Sequence, residues 1–311
     1  MISRNKTVVQ IGDYSIQLSK LDKILWPKDH ITKKDLIEYY AGIYPHLVPH
    51  LKQRPLVVTR FPNGIEGKSF YQKNAPSGTP EWVTRFPWYS PHSDRTIYFI
   101  VCDKLPTMIW LANQACLELH PWMSRADNPS LPDFLVFDLD PSEGATYEHV
   151  CQVAEVLRDI LNNLNLNFYL KTSGATGVHV YVPLTRKYNY DQLRDFALKI
   201  AEIVVRLIPE HATIIRKVKD RQGKVYVDYL QNIQGKTVCS PYSVRPLPGA
   251  PVSCPLNWNE LRTALPHDYN IKTVLERVSK LGDLFHPINL GQQNIDDAWK
   301  GLNRLFGKIN Q

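Results

Sequence analysis

The spacing of apolar and polar positions changes along the chain, and the elements follow from it. After Thr32, Leu36, Ile37, Tyr40, Ile43 and Tyr44 recur at helical spacing on one side. Thr32 stands three residues before Asp35, which predicts a capping box at the start of that helix. Pro45 and Pro49 leave its far end open. Leu56 to Arg60 predicts a short strand. Asn63 to Gly78 predicts a loop rich in Gly, Ser and Lys that carries Phe70 and Tyr71, and Thr96 to Val101 a second strand. Leu105 to Leu119 reads as one strongly apolar helix ending at His120-Pro121. The central region then alternates. Asp133 to Asp140 is a strand, and Tyr147 to Leu161 a helix with Val150, Val153, Ala154 and Leu157 on one face. Asn167 to Lys171 and Val178 to Val182 are strands flanking a glycine turn. Asp191 to Leu207 is a long amphipathic helix, and Lys224 to Leu230 another strand. Beyond Pro246 the chain is proline-rich and then helical.

This mixture predicts an α+β (α/β) fold around a central sheet. It divides into an N-terminal α/β module over 1–130, a sheet module over 131–258 and a helical segment over 259–311 packing on the core. The polar, proline-bearing stretch Asn128 to Pro132 marks the first boundary. With 311 residues, 43% hydrophobic and 22% charged, the chain can bury a sizeable core. A net charge of +7 suits a polyanionic partner without identifying one. The cysteines, Cys102, Cys116, Cys151, Cys239 and Cys254, show neither a C-x-x-C pair nor zinc spacing. The first ten residues are polar and basic, without the apolar core of a signal peptide. Reduced thiols in a cytoplasmic protein are therefore expected, with no membrane association, since no run is long and apolar enough to span a bilayer.

Chemistry enters at Asp133-Phe-Leu-Val-Phe-Asp-Leu-Asp140. Side chains alternate along a strand, so Leu135, Phe137 and Leu139 face a core while Asp138 and Asp140 lie together on the other face. Two anions side by side repel unless a cation sits between them, and hard oxygen ligands suit Mg²⁺ or Mn²⁺. The bland alternative is a pair of solvated carboxylates at a strand end. Val225-Tyr-Val-Asp-Tyr-Leu230 places Asp228 mid-strand, costly unless it is paired or ligating. Either it joins the first two in a site for two metals about 3.5–4 Å apart, or it pairs with Arg216 or Lys224.

Lys171-Thr-Ser-Gly-Ala-Thr-Gly-Val-His179 reads as strand, glycine turn, strand. Gly174 and Gly177 permit consecutive N–H groups to face one anion, with Ser173 and Thr176 adding hydroxyls, although the G-K-[ST] ending of a P-loop is absent. An ordinary hairpin-like turn fits the same residues. His179 projects from the face opposite Val178 and Val180, and His120 closes the apolar Leu105–Leu119 run, where a helix dipole would favour it. Arg216, Lys217, Lys219, Arg221 and Lys224 form a basic patch before Asp228, and Lys20, Lys23, Lys28, Lys33 and Lys34 form a second. Phe70 and Tyr71 either stack on bases or anchor their loop.

Taken in register, Leu117-Glu-Leu-His120, Phe137-Asp-Leu-Asp-Pro141, the Lys171 to Pro183 segment, Val227-Asp-Tyr-Leu-Gln-Asn232 and Ser240-Pro-Tyr-Ser-Val-Arg245 resemble the polymerase domain of bacterial ligase D, in the primase-polymerase superfamily. The resemblance runs from Leu18 to about Trp258. It implies a two-module fold, with a catalytic RNA-recognition-like sheet beside the N-terminal α/β module. It also implies a template-dependent nucleotidyltransferase, favouring Mn²⁺ and ribonucleotides, that extends a primer 3′-hydroxyl at gaps or double-strand breaks. Asp138, Asp140 and Asp228 become the ligands of two metal ions. His120, Ser173, Gly174, Thr176, Gly177, His179, Arg221, Gln231 and Arg245 become nucleotide-binding residues. Lys23 and Lys33 grip a 5′-phosphate, and Phe70 and Tyr71 stack on template, with Arg60 beside them as a DNA contact. Implied partners are gapped or broken DNA, nucleoside triphosphates, Ku and a separate ATP-dependent DNA ligase, in a bacterial, nucleoid-associated setting. Thr176 stands where the family commonly has lysine, so Lys171 or the Arg216–Lys224 patch is expected to supply that charge; Lys20 stands where asparagine is frequent. No ligase or nuclease segment is recognised, so a free-standing polymerase and an excised domain are both open. A dedicated primase and a non-catalytic end-binding module are the competing readings. A metal-dependent nuclease would share the carboxylates but needs no triphosphate loop.

Overall fold

A computed structural model of the chain describes residues 6–91, 93–290 and 293–309. The chain divides into two compact units, each assembled from separated stretches. The first takes the residues up to Trp122 with Thr237–Ser253 and Tyr269–Asp283. The second takes Met123–Lys236, Cys254–Asp268 and the residues from Leu284 onward.

The first unit opens with a hairpin, β1 (Lys6–Ile11) and β2 (Tyr14–Ser19), and a short pair, β3 (Ile24–Trp26) and β4 (Ile31–Thr32). Helix α1 (Lys33–Leu51) starts at the expected capping box. The Asp35 N–H donates to Thr32 Oγ1 at 3.2 Å and the Thr32 N–H to Asp35 Oδ2 at 2.7 Å. The helix runs on through Pro45 and Pro49. Both leave the buried face to Leu36, Tyr40, Ile43, Leu47 and Leu51, whose burial offsets the missing N–H bonds. Then follow β5 (Pro55–Arg60), β6 (Phe70–Gln72), β7 (Arg85–Ser90), β8 (Arg95–Val101), α2 (Leu105–Asn113) and β9 (Cys116–Pro121). Strand β5 pairs antiparallel with β6, β8 and β9, and β8 also pairs with β7. The helix Val274–Leu281 packs on α1.

Two sequence expectations are corrected here. The apolar run 105–119 is not one helix: α2 stops at Asn113, Ala115 turns the backbone at φ 55°, and β9 joins the sheet. Nearly every residue of the run is buried, so periodicity carried no information on which element it formed. His120 therefore lies in a strand, not at a helix terminus. Phe70 and Tyr71 belong to β6, not to a loop, and pair with Arg60 and Thr59 of β5.

The second unit opens with β10 (Ser124–Arg125) paired to β11 (Asn128–Pro132). It continues through β12 (Phe134–Pro141), α3 (Tyr147–Asn163), β13 (Tyr169–Thr172), β14 (Val178–Pro183), α4 (Tyr190–Leu207), β15 (Ala212–Thr213), β16 (Val225–Asp228) and β17 (Pro255–Leu256). One six-stranded sheet has the order β15-β16-β12-β14-β13-β17, parallel only between β15 and β16. Within it β12–α3–β13–β14–α4–β16 is a β-α-β-β-α-β unit, the expected α+β architecture. Helices α3 and α4 pack on each other and on β12, bringing Val150, Val153, Leu157, Phe196 and Ile200 into one core with Leu135, Phe137 and Leu139. The opposite face of β12 is thereby left to its aspartates. All five cysteines are buried and free, and no helix among the described residues is long and apolar enough to cross a membrane.

Candidate active site

The strand register of the second unit assembles the site. On β12, Asp138 stands opposite His179 of β14 on one side and Asp228 of β16 on the other. On β13, Lys171 stands opposite His179. Directly opposed residues share a face, so Lys171, His179, Asp138 and Asp228 form one row across four strands. Asp140, two positions along β12, lies on the same face as Asp138.

Crowding carboxylates there has an electrostatic signature. Burial, and next the charge of Asp138, hold the Asp140 carboxyl above its ordinary range against the pull of Arg221. Burial and Asp138 likewise raise Asp228, opposed by hydrogen bonds from Tyr226, Leu230 and Gln231. Each carboxylate is turned to a nearby donor. Asp138 Oδ1 lies 3.3 Å from His179 Nε2. Asp140 Oδ2 accepts from Arg221 Nη1 at 3.2 Å. Asp228 Oδ1 accepts from the Tyr226 hydroxyl at 3.1 Å and the Leu230 N–H at 2.9 Å, and its Oδ2 from Gln231 Nε2 at 2.9 Å. The donors holding Asp228 are thus neutral, not the guanidinium or ammonium of Arg216 or Lys224. As these side chains stand, no three His, Cys, Asp or Glu groups among the described residues are gathered at metal-holding distances. The donor set still fits a hard divalent cation, which would relieve the mutual repulsion of three buried-edge carboxylates.

Two further residues shape this face. The Arg221 guanidinium sits 4.0 Å above the Tyr226 ring and donates to the carbonyls of Ile215 and Arg216, so it is fixed between the basic loop and Asp140. A cavity of about 230 Å³ beside it is lined by Arg216, Arg221, Lys236, Tyr226, Asp228 and Ile233. Asn232 was not foreseen in a functional role. Its buried amide accepts from the Val136 N–H at 2.9 Å and donates to the Val136 carbonyl at 2.8 Å. It thereby takes over the ladder where β16 ends at Asp228, and the signal in sequence was an asparagine four residues after a strand aspartate.

The glycine turn is tied to the same strand. Gly174 adopts φ 74°, the left-handed region open to glycine. A Cβ on Gly177 would lie 2.0 Å from the Leu139 carbonyl oxygen, so only glycine lets the turn rest against β12 between its two aspartates. The expected nest of outward N–H groups is corrected: the Ala175 and Gly177 N–H groups donate inward to Ser173 Oγ, at 3.1 and 3.0 Å. Both acceptor sites of the Ser173 hydroxyl are filled, leaving its proton as what it can offer. Thr176 is exposed at the tip. Lys171 does not replace the missing loop lysine, because it is fully buried with Nζ 2.8 Å from His179 Nδ1.

In the first unit, His120 and Arg245 meet at Glu118. Glu118 Oε2 is 3.5 Å from His120 Nε2 and Oε1 is 3.2 Å from Arg245 Nε. Burial pushes the Glu118 carboxyl up, but His120, Arg245 and Thr59 together bring it below its ordinary range. Glu118 has no role assigned from the Leu117-Glu-Leu-His120 motif alone, though an acid alternating with buried leucines is a readable signal. The Tyr71 ring is 5.8 Å from the His120 ring, and Phe70 and Tyr71 are exposed. Arg60 is held by the side chains of Gln72 and Gln114 and the Gln114 carbonyl, with its guanidinium 5.4 Å from the Phe70 ring. Lys33 Nζ donates to Asn113 Oδ1 at 3.0 Å and its carbonyl at 3.2 Å. Burial and the charges of Lys20 and Lys23 push its pKa down to about 8. Lys23 Nζ donates to Asn63 Oδ1 at 2.9 Å and to the Pro62 carbonyl.

A family model described as LigD, primase-polymerase domain, matches residues 32–285. The bifunctional non-homologous end joining protein LigD of Bacillus subtilis is 36% identical over 270 residues, covering 86% of this chain and 43% of that protein. The multifunctional non-homologous end joining protein LigD of Pseudomonas aeruginosa is 30% identical over 268 residues, covering 86% of this chain and 32% of that one. This chain therefore spans less than half the length of these relatives. The polymerase domain from Mycobacterium tuberculosis ligase D, solved in complex with DNA, superposes with a TM-score of 0.83 at 31% identity, covering 89% of this chain and 99% of that structure. With its carboxylate row, serine-glycine turn and sheet order all in one matched stretch, the chain belongs to the LigD primase-polymerase domain family.

Proposed function

We propose that this chain is a template-dependent nucleotidyltransferase. It adds nucleotides, ribonucleotides by preference, to a primer 3′-hydroxyl at gaps or double-strand breaks, in non-homologous end joining or gap repair. The observation that carries this reading is the cross-strand pairing of Asp138 with Asp228, with Asp140 on the same face beside the serine-glycine turn. Asp138, Asp140 and Asp228 would hold two divalent cations, Mn²⁺ or Mg²⁺, once each carboxylate rotates from its present donor. Bound there, such cations supply Lewis acidity to the primer hydroxyl and to the departing pyrophosphate.

The chain's own groups do the rest. The Ser173 hydroxyl and the His179 imidazole, with the Gly174–Thr176–Gly177 turn, hold the triphosphate. Arg221, now on Asp140, is a cation that triphosphate oxygens compete for. Gln231 of the second unit contacts the nucleotide, and His120 and Arg245 are nucleotide-binding residues of the first. Lys23 and Lys33 take the 5′-phosphate of the downstream strand, and Phe70, Tyr71 and Arg60 face the template. The exposure of both rings supports a stacking role for Phe70 and Tyr71 over anchoring. The proposed setting is the bacterial cytoplasm at the nucleoid, with Ku and a separate ATP-dependent ligase as partners. The test is extension on a gapped duplex bearing a 5′-phosphate, in Mn²⁺, with each class of nucleotide. Asp138→Ala abolishes extension; full activity in that variant refutes the assignment. Product from bare single strands without a primer would move the reading to a primase.

A further inference from the structure

The buried end of the carboxylate row has a role of its own. Lys171 is fully buried on β13, and its ammonium points along the row to His179 Nδ1 at 2.8 Å, with the Thr172 carbonyl at 3.5 Å and the Tyr181 ring 5.7 Å away. A buried ammonium is costly, so a sequence that keeps one uses its charge or its protons. An ammonium can only donate. A ring nitrogen receiving that bond is the unprotonated one, so the imidazole proton sits on Nε2. That nitrogen is the one facing Asp138 Oδ1, at 3.3 Å.

We propose that Lys171 is a positioning residue that fixes His179 as a donor toward the reacting face. The ammonium holds the ring in the Nε2–H form and at a set angle, without itself touching nucleotide. Strand pairing enforces it: Lys171 opposes His179, and His179 opposes Asp138, so neither ring position nor donor direction depends on a loop. The inference rests on the proposed function only for what His179 donates to; the fixed tautomer stands apart from that reading.

The experiment is long-range ¹H–¹⁵N correlation on the whole chain labelled at histidine, with His179 assigned by its disappearance in His179→Gln. Wild-type protein is expected to show His179 protonated on Nε2 alone. Lys171→Met, which keeps an unbranched apolar stem but no donor, is expected to show mixed tautomers. It should also raise the KM for nucleotide about tenfold, the worth of one charge-assisted hydrogen bond, with a smaller effect on kcat. Lys171→Gln, which restores a neutral donor, recovers part of both. A wild-type His179 protonated on Nδ1 or on both nitrogens overturns the proposal even if Lys171→Met fails to fold. So does a folded Lys171→Met with the wild-type pattern. Absence of polymerase activity with the Nε2–H pattern intact would overturn the functional reading while leaving the tautomer assignment standing.

Discussion

Replacing Gly177 by alanine tests the contact that ties the glycine turn to the strand carrying Asp138 and Asp140. The new Cβ would lie 2.0 Å from the Leu139 carbonyl oxygen, 3.1 Å from its carbon and 3.2 Å from Pro141 Cδ. Contacts under 3.0 Å are essentially unseen for real Cβ atoms, so turn and strand must part by about 1 Å. The obstacle is backbone, paired on both sides through Leu139↔Val178 and Leu139↔Val227, and it has no rotamer to change. Overpacking of this kind costs roughly 1–3 kcal/mol, which lowers the melting temperature by several degrees for a chain of this size. The larger effect is on the chemistry. If β12 moves, it takes Asp138 and Asp140 with it; if the turn moves, it takes Ser173. A misplacement near 1 Å lowers turnover by about 100-fold. Gly174→Ala gives the comparison: at φ 74° it strains the turn itself by about 1–2 kcal/mol, so stability falls. Single-nucleotide extension and thermal unfolding on both variants give the comparison. Gly177→Ala with wild-type rate and wild-type melting temperature would refute the close approach.

Further expectations follow from the charges. Asp138 raises the carboxyl pKa of both Asp140 and Asp228. A carboxyl raised in the folded state contributes stability at acid pH that is lost as pH climbs through its folded value. Asp138→Asn should therefore melt higher than wild type at neutral pH without divalent ions, by order of 1 kcal/mol, while losing extension activity. Mn²⁺ should raise the melting temperature of the wild type and not of the variant, and a destabilised Asp138→Asn contradicts this. Lys33, with a pKa of about 8, should lose its proposed grip on a 5′-phosphate as pH rises past that value. Anisotropy with 5′-phosphate and 5′-hydroxyl duplexes on either side of it measures the loss, and Lys33→Met should abolish the pH dependence. Glu118, depressed below its ordinary range, stabilises the first unit at neutral pH and ceases to as pH falls through its folded value. Glu118→Gln should cost about 3 kcal/mol by leaving the Arg245 charge without its counter-ion; an unchanged denaturant midpoint argues against that.

Sequence alone determined what depends on neighbours in the chain. The Thr32–Asp35 box fixed the start of α1 because capping is a four-residue event. The alternation in β12 told which side of the strand Asp138 and Asp140 take, since the two-residue period needs no tertiary information. The glycine turn and its flanking strands were legible for the same reason. Where a segment is buried on all sides the pattern went silent, and β9 passed for helix. What only the tertiary structure decided is partnership across the chain. Asp228 meets Asp138 because β16 pairs with β12 at that register, and a one-residue slip would send it to the other face. Lys171 looked like a free cation until β13 buried it against His179. Glu118 gained a role once β9 and the returning 237–253 stretch brought His120 and Arg245 to it. Of these contacts, Asp138 with Asp228 and Glu118 with Arg245 join residues distant in sequence, and no local preference encodes which strands will lie side by side.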